Sequence, residues 1–138
     1  MAEAFRLFDR LTKAVVAIGS WDPPDSQLRN GLDEFEREAM RSLGVRAEIC
    51  STLVDDDGHA VAAELTDRQV AISGDQLRHI PEVIAVAGGQ AKVAAVRAVL
   101  TGGYITSLVT DASVARILLD GVPDREREPR AAASSHRL

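Results

Sequence analysis

Residues 83–111, VIAVAGGQAKVAAVRAVLTGGYITSLVTD, constrain the fold more than any other stretch of the chain. Val83, Ile84 and Val86 make a short, unbroken apolar run, the pattern of a strand buried on both faces of a parallel sheet. Gly88-Gly89 breaks the run, and residues 90–100 then place Val93, Val96, Val99 and Leu100 on one side of a helix that can pack on that sheet. Gly102-Gly103 ends the helix, residues 105–109 read as the next strand, and Thr110 or Asp111 can cap a last helix through Leu119. Two strands joined through a helix in this way run parallel. Lys92 is out of place in this scheme, because the first turn of a helix is the positive end of its dipole and favours a carboxylate. Two readings stand open: the lysine points into water, or an anion lies between it and the helix.

The rest of the chain continues the α/β alternation. Ala4, Phe5, Phe8 and Leu11 recur at helical spacing, and residues 14–18 read as a buried strand ending at Gly19. SWDPPDSQLRNG follows, and its Pro23-Pro24 pair makes a rim loop. Residues 32–43 are helical, with Asp33, Glu34 and Glu36 near the first turn and Gly44 as the C-terminal cap. AEICSTLVDDDGHAVAAEL reads as a hairpin that turns at Asp57-Gly58. Residues 68–73 form a short strand, Ser73 caps a helical turn through Ile80, and Pro81 closes it. The expectation is a mainly parallel, Rossmann-like sheet that binds ligands beyond the carboxyl ends of its strands, where Gly19, Gly88 and Thr110 fall. Residues 1–120 are expected to be one domain, and residues 121–138, charged and alanine-rich without apolar periodicity, a disordered tail.

Composition removes several function classes. The net charge is -5 and no window is dense in Lys or Arg, so the footprint of a nucleic-acid-binding surface is missing. Cys50 is the only cysteine, which excludes an internal disulfide and fits a reducing compartment. His59, His79 and His136 are scattered, and Asp55 to Asp57 lack the later ligands of a calcium loop, so neither a metal nor another cofactor is expected. The apolar run AVVAIG is too short for a membrane span, and Glu3 and Asp9 do not suit a signal peptide; a cytoplasmic address is expected.

IPEVIAVAGGQAKVAAVRAVLTGGYITSLVTDASVARILL resembles the C-terminal part of the sugar-binding effector domain of SorC/DeoR-type bacterial transcriptional regulators. A strand, AGG, a lysine three residues later, an arginine-bearing helix and a VTD-type strand end recur there in this order. VVAIGS, SQLRNG, RAEIC before the D-x-x-G turn, and DRQVAIS extend the resemblance over nearly all of residues 1–120. The resemblance implies a fold similar to glucosamine-6-phosphate deaminase, ribose-5-phosphate isomerase and CoA-transferase, and a role in sensing a phosphorylated sugar that controls an attached helix-turn-helix. A complete member would also carry that helix-turn-helix, and a first half of the effector domain with its own phosphate loop. Neither is in this sequence, so a partial domain is expected, with DNA contacted only through the absent helix-turn-helix and a homo-oligomer formed. Arg46-Ala47 precede Glu48 where many relatives have a small residue and then Gly-Asp or Gly-Glu.

Each candidate ligand-binding residue carries a competing structural reading. Gly88 and Gly89 leave backbone N–H groups open at a helix start, and Lys92 adds a charged contact, which makes a phosphate cradle; the alternative is a tight turn beside a solvated lysine. Gly19 and Ser20 let a ligand approach the backbone, or are a loop glycine and a capping serine. Arg29 can fork onto a phosphate or sugar oxygen, or lie on the surface. Glu48 can accept hydrogen bonds from sugar hydroxyls, or be a paired structural carboxylate. Arg68 and Arg97 read as surface residues, Asp111 as an N-cap, and Trp21 as local packing rather than a cover for a sugar face. No catalytic residue is assigned, because Glu48 has no evident acid/base partner. The competing functions are a sugar-phosphate isomerase or deaminase, and a remnant that only dimerises.

Overall fold

The computed structural model describes residues 6–120. In chain order its elements are β1 (Lys13–Ala17), β2 (Gly19–Ser20), α1 (Gln27–Gly31), α2 (Glu34–Ser42), β3 (Val45–Ile49), β4 (Thr52–Asp55), β5 (Ala60–Val61), α3 (Ala63–Asp67), α4 (Gly74–His79) and β6 (Glu82–Val86). A single 3-10 turn (Gln90–Lys92) then leads into α5 (Val93–Thr101), followed by β7 (Ser107–Val109) and α6 (Ala112–Asp120). The strands make two sheets, a parallel one in the order β1-β6-β7 and an antiparallel one in the order β2-β3-β4-β5. The expected tail at residues 121–138 lies outside the described residues.

The glycine-bounded unit of the sequence is β6–α5–β7, built as its pattern predicts. Val83, Ala85 and Ala87 turn one face of the parallel sheet inward, where Ala95, Val96, Ala98 and Val99 of α5 meet them. α5 also packs closely on β3, so the helix shares one core with both sheets. The apolar run of β6 fits burial on both faces, but in the structure the described residues cover only one face. Val15, Val86 and Val109 lie on the opposite face of adjacent strands and are 68%, 49% and 55% exposed. An apolar pattern identifies a strand written for burial, and it cannot report whether a covering layer is present.

The antiparallel sheet starts one residue after β1 ends. Ile18, 1% exposed, is the hinge between them, and Gly19 and Ser20 then pair with Glu48 and Ala47 of β3. A register shift between Val45 and Ala47 turns β3 over, sending Ala47 and Ile49 towards α5 and Val45 into a second cluster with Trp21, Leu32 and Leu53. The β3–β4 connection is the two-residue turn Cys50-Ser51, both in the left-handed region at φ 46 and φ 66.

Helix boundaries follow their capping residues. Asp33 and Glu36 form a capping box at the start of α2, and Ser73 and Gln76 form another at α4. Gly44, at φ 77, follows the end of α2 as a C-terminal turn requires. Residues 68–73 are not a strand: α3 precedes them, and they run as bends in which Val70 is exposed and Ile72 packs on the core. Of the expected first helix, residues 6–8 are helical, and Asp9 is tied to α4 by a 2.9 Å hydrogen bond from Gln76 Nε2 to its Oδ1.

Tyr104 anchors the base of this arrangement at 1% exposure, with the Arg78 guanidinium 4.0 Å from its ring centroid. Gly58 at the β4–β5 turn has φ +83, and a Cβ there would overlap the backbone of Thr101 and Gly102. Gly58→Ala therefore combines backbone strain with overpacking. It is expected to lower unfolding stability by at least about 2 kcal/mol, read as a drop in the urea midpoint with the slope unchanged.

Candidate functional site

The seam between the two sheets holds a cavity of about 400 Å³, lined by the carboxyl end of β1 together with Gly19, Asp25, Ser26, Glu48, Cys50 and Lys92. This is the place where an open α/β sheet offers a ligand site. Gly19 makes the close approach possible: a Cβ added there would lie 3.1 Å from the Asp25 carbonyl oxygen and 3.3 Å from Glu48 Oε2.

Glu48 points into the seam from β3. Its Oε2 accepts a short hydrogen bond from Ser26 Oγ and a longer one, at 3.4 Å, from the Leu28 N–H. Ser26 is the N-cap of α1, and its Oγ accepts from the Arg29 N–H at 3.0 Å. The serine hydroxyl thus joins the helix start to the carboxylate, and both are held in one orientation.

The position of Lys92 answers the question posed by the sequence. It stands at the junction of the 3-10 turn and α5, and its side chain runs back to the seam, where Nζ donates to the Ile18 carbonyl at 3.0 Å and pairs with Asp25 Oδ2 at 2.8 Å. An anion does lie against the lysine, and it is the protein's own. Lys92 is the single cation lining the cavity, against the carboxylates Asp25 and Glu48.

At the glycine pair, the Gly89 N–H is engaged from within, so this donor of the expected cradle is taken by the protein itself. Gly89, at φ 91, donates its N–H to Asp111 Oδ2 at 2.7 Å, and the other Asp111 oxygen caps α6 through Ser113 and the Val114 N–H. The Gly89 N–H first, then Ser113 and Val114, hold the Asp111 carboxyl well below the usual carboxylate range. Gly88 sits against this carboxylate, since a Cβ on it would lie 3.2 Å from Asp111 Oδ2.

The structure therefore brings Gly19, Glu48 and Lys92 together and leaves the other candidates outside. Ser20 is buried with its Oγ unpartnered and does not line the cavity. Arg29 stacks over Trp21, 5.9 Å from the ring centroid, with its Nε buried and unpartnered. Trp21 itself is core, at 2% exposure. Arg68 faces Glu36 at 3.9 Å and Arg97 is exposed on α5. Asp25, Ser26 and Cys50 were not among the expected site residues. The spacing of Ser26 ahead of QLRNG, an N-cap signature, is the signal that points to it. Burial first, and then the Glu48 charge, push the Cys50 thiol up, so it stays protonated.

Among the described residues, Asp55, Asp57 and His59 form the one close group of potential metal ligands, and Asp55 Oδ1 is taken by the N–H groups of Asp57 and His59. No described helix is long and apolar enough to cross a membrane.

Asp111 generates a pH prediction. Its folded pKa is depressed, so its stabilising contribution is complete above the unfolded carboxylate pKa of about 4 and is lost as the pH falls towards the folded value. Asp111→Asn should flatten the acid side of a melting-temperature profile recorded between about pH 5 and pH 2. A variant profile parallel to wild type would contradict this.

Comparison with known proteins places the geometry in a family. The family model described as "Putative sugar-binding domain" matches residues 1–120. The chain is 35% identical over 116 residues to the transcriptional regulator YjhU of Escherichia coli, covering 83% of this chain and 35% of that protein. It is 33% identical to the transcriptional regulator LsrR of Klebsiella pneumoniae over 77% of this chain and 34% of that protein. It thus spans about a third of the length of these curated relatives. Among solved structures, the full-length sorbitol operon regulator SorC of Klebsiella pneumoniae superposes with a TM-score of 0.77 at 28% identity, covering 83% of this chain and 38% of that one. A transcriptional regulator from Streptococcus pneumoniae gives 0.76 at 30% identity, over 83% of this chain and 44% of that one. The parallel sheet flanked by an antiparallel one is accordingly the Rossmann-like arrangement of these domains, and the chain belongs to the sugar-binding domain family of SorC/DeoR-type transcriptional regulators.

Proposed function

We propose that this chain binds a phosphorylated sugar in the cavity between its two sheets and senses it without turnover, as the effector module of a transcriptional regulator. The observation that carries the reading is the convergence of Lys92 and Glu48 on one cavity of about 400 Å³ at the carboxyl end of β1. That volume suits a small ligand. A lysine ammonium is a point charge for a phosphate, and an ionised carboxylate accepts hydrogen bonds from sugar hydroxyls. Turnover would need a second acid or base near Glu48. The direct partners of Glu48 are a serine hydroxyl and a backbone N–H, while Lys92 and Asp25, the charged groups that share the cavity with it, are paired with each other, so none of them is hydrogen-bonded to Glu48 as an acid/base partner. Relatives named for sorbitol and erythritol control support a polyol or sugar ligand class. DNA contact belongs, in this reading, to other parts of a longer regulator, since the net charge here is -5.

Calorimetric titration tests the reading. A sugar phosphate should bind more tightly than the same sugar without phosphate. Lys92→Ala should remove most of that preference, about 1.5–3 kcal/mol, while Glu48→Gln weakens both ligands. Equal affinity of the wild type for both sugars would refute it.

Homo-oligomerisation is part of the proposal and uses the uncovered sheet face. Val15, Val86 and Val109 form an exposed apolar surface beside the free edge of β1. Sedimentation of the wild type should show association that rises with concentration. Val15→Lys should sediment as a monomer throughout; a wild-type monomer at all concentrations would overturn this.

A further inference from the structure

We infer that Asp25 is a built-in competitor for the anion, so that a ligand phosphate takes its place on Lys92 and unfastens the loop between β2 and α1. The inference rests on the proposed phosphate reading and adds how that site is regulated. Lys92 Nζ has three donors; the Ile18 carbonyl and Asp25 Oδ2 take two of them. A phosphate approaching the third would set its charge against the Asp25 carboxylate, with Glu48 already in the cavity. One cation cannot compensate all three anions, and like charges this close repel strongly away from bulk water. Of the three, Asp25 is the one that can leave. Its side chain is 68% exposed, so it can exchange Lys92 for water, whereas Lys92 is 22% exposed and Glu48 is fastened by Ser26 and Leu28.

The departure of Asp25 acts on the backbone. Ser20 and Asp25 exchange a pair of backbone hydrogen bonds, both 2.9 Å, at the point where the loop closes on β2. Ser26, the next residue, caps α1 and donates to Glu48. Occupancy of Lys92 is thereby transmitted to the start of α1 and to the β2–β3 pairing. A neutral sugar, having no charge to replace the carboxylate, leaves the fastening closed.

Inorganic phosphate is the probe, used on the whole chain and on Asp25→Asn, with affinity from calorimetry and amide hydrogen exchange of Ser20 and Asp25 as readouts. Asp25→Asn should bind phosphate at least about tenfold more tightly than wild type. Its Ser20 and Asp25 amides should exchange at least about tenfold faster without phosphate, and saturating phosphate should bring the wild-type amides to the same rates. Equal phosphate affinity in the two proteins, or slower wild-type exchange on adding phosphate, would overturn the competitor role while leaving the anion site standing. Phosphate binding to neither protein would overturn both.

Discussion

β1 leaves the parallel sheet at Ala17, and Gly19 is already paired in the antiparallel sheet, with the buried Ile18 between them. This one-residue passage sets the two sheets at a fixed junction, and α5 fills the space that the junction creates. The cavity is what the helix cannot fill at the carboxyl end of β1. Glu48 reaches it because β2 pairs with β3, and Lys92 because its turn lies beyond β6, parallel to β1. A side chain at Gly19 would press on both the loop and Glu48, so the chemistry of the seam depends on a residue that contributes none.

Internal carboxylates take the places at which the sequence suggests an anionic ligand. Asp111 occupies the Gly89 N–H, and Asp25 occupies the Lys92 ammonium. The two differ in how they are held. Asp111 accepts several hydrogen bonds from a helix start and a turn and is a permanent part of the fold. Asp25 has one ionic contact and an exposed side chain. The first fixes the β6 and β7 strand ends relative to each other, and the second is suited to exchange.

The sequence pattern made β6–α5–β7 legible, because strand, glycine pair and helix each have a period or a breaker of their own. The caps at Asp33 and Ser73 were equally readable, since side-chain capping is local. The residue 68–73 strand failed because a short apolar alternation also fits a bend that buries Ile72 alone. The Asp57-Gly58 signal marks the β4–β5 hairpin that the structure has, whereas the Cys50-Ser51 turn carries no glycine or asparagine signal, so the β3–β4 hairpin and with it the four-stranded sheet are only partly visible in the sequence. At the site, Gly19 is legible from its strand end, Lys92 from the glycine pair ahead of it at a helix start, and Glu48 from its place on a strand. Asp25 could not: a rim-loop aspartate beside two prolines looks solvated until the fold brings Lys92 back across the sheet.

The enclosure of Tyr104 has a mechanical consequence. Gly58, Gly74 and Gly102 surround the ring or its approach so tightly that an added methyl would collide or crowd at each, and the ring lies under the Arg78 guanidinium. Packing without slack transmits displacement and does not absorb it. The β4–β5 hairpin, α4 and the end of α5 are therefore locked together around this ring, and a displacement of one is passed to the others.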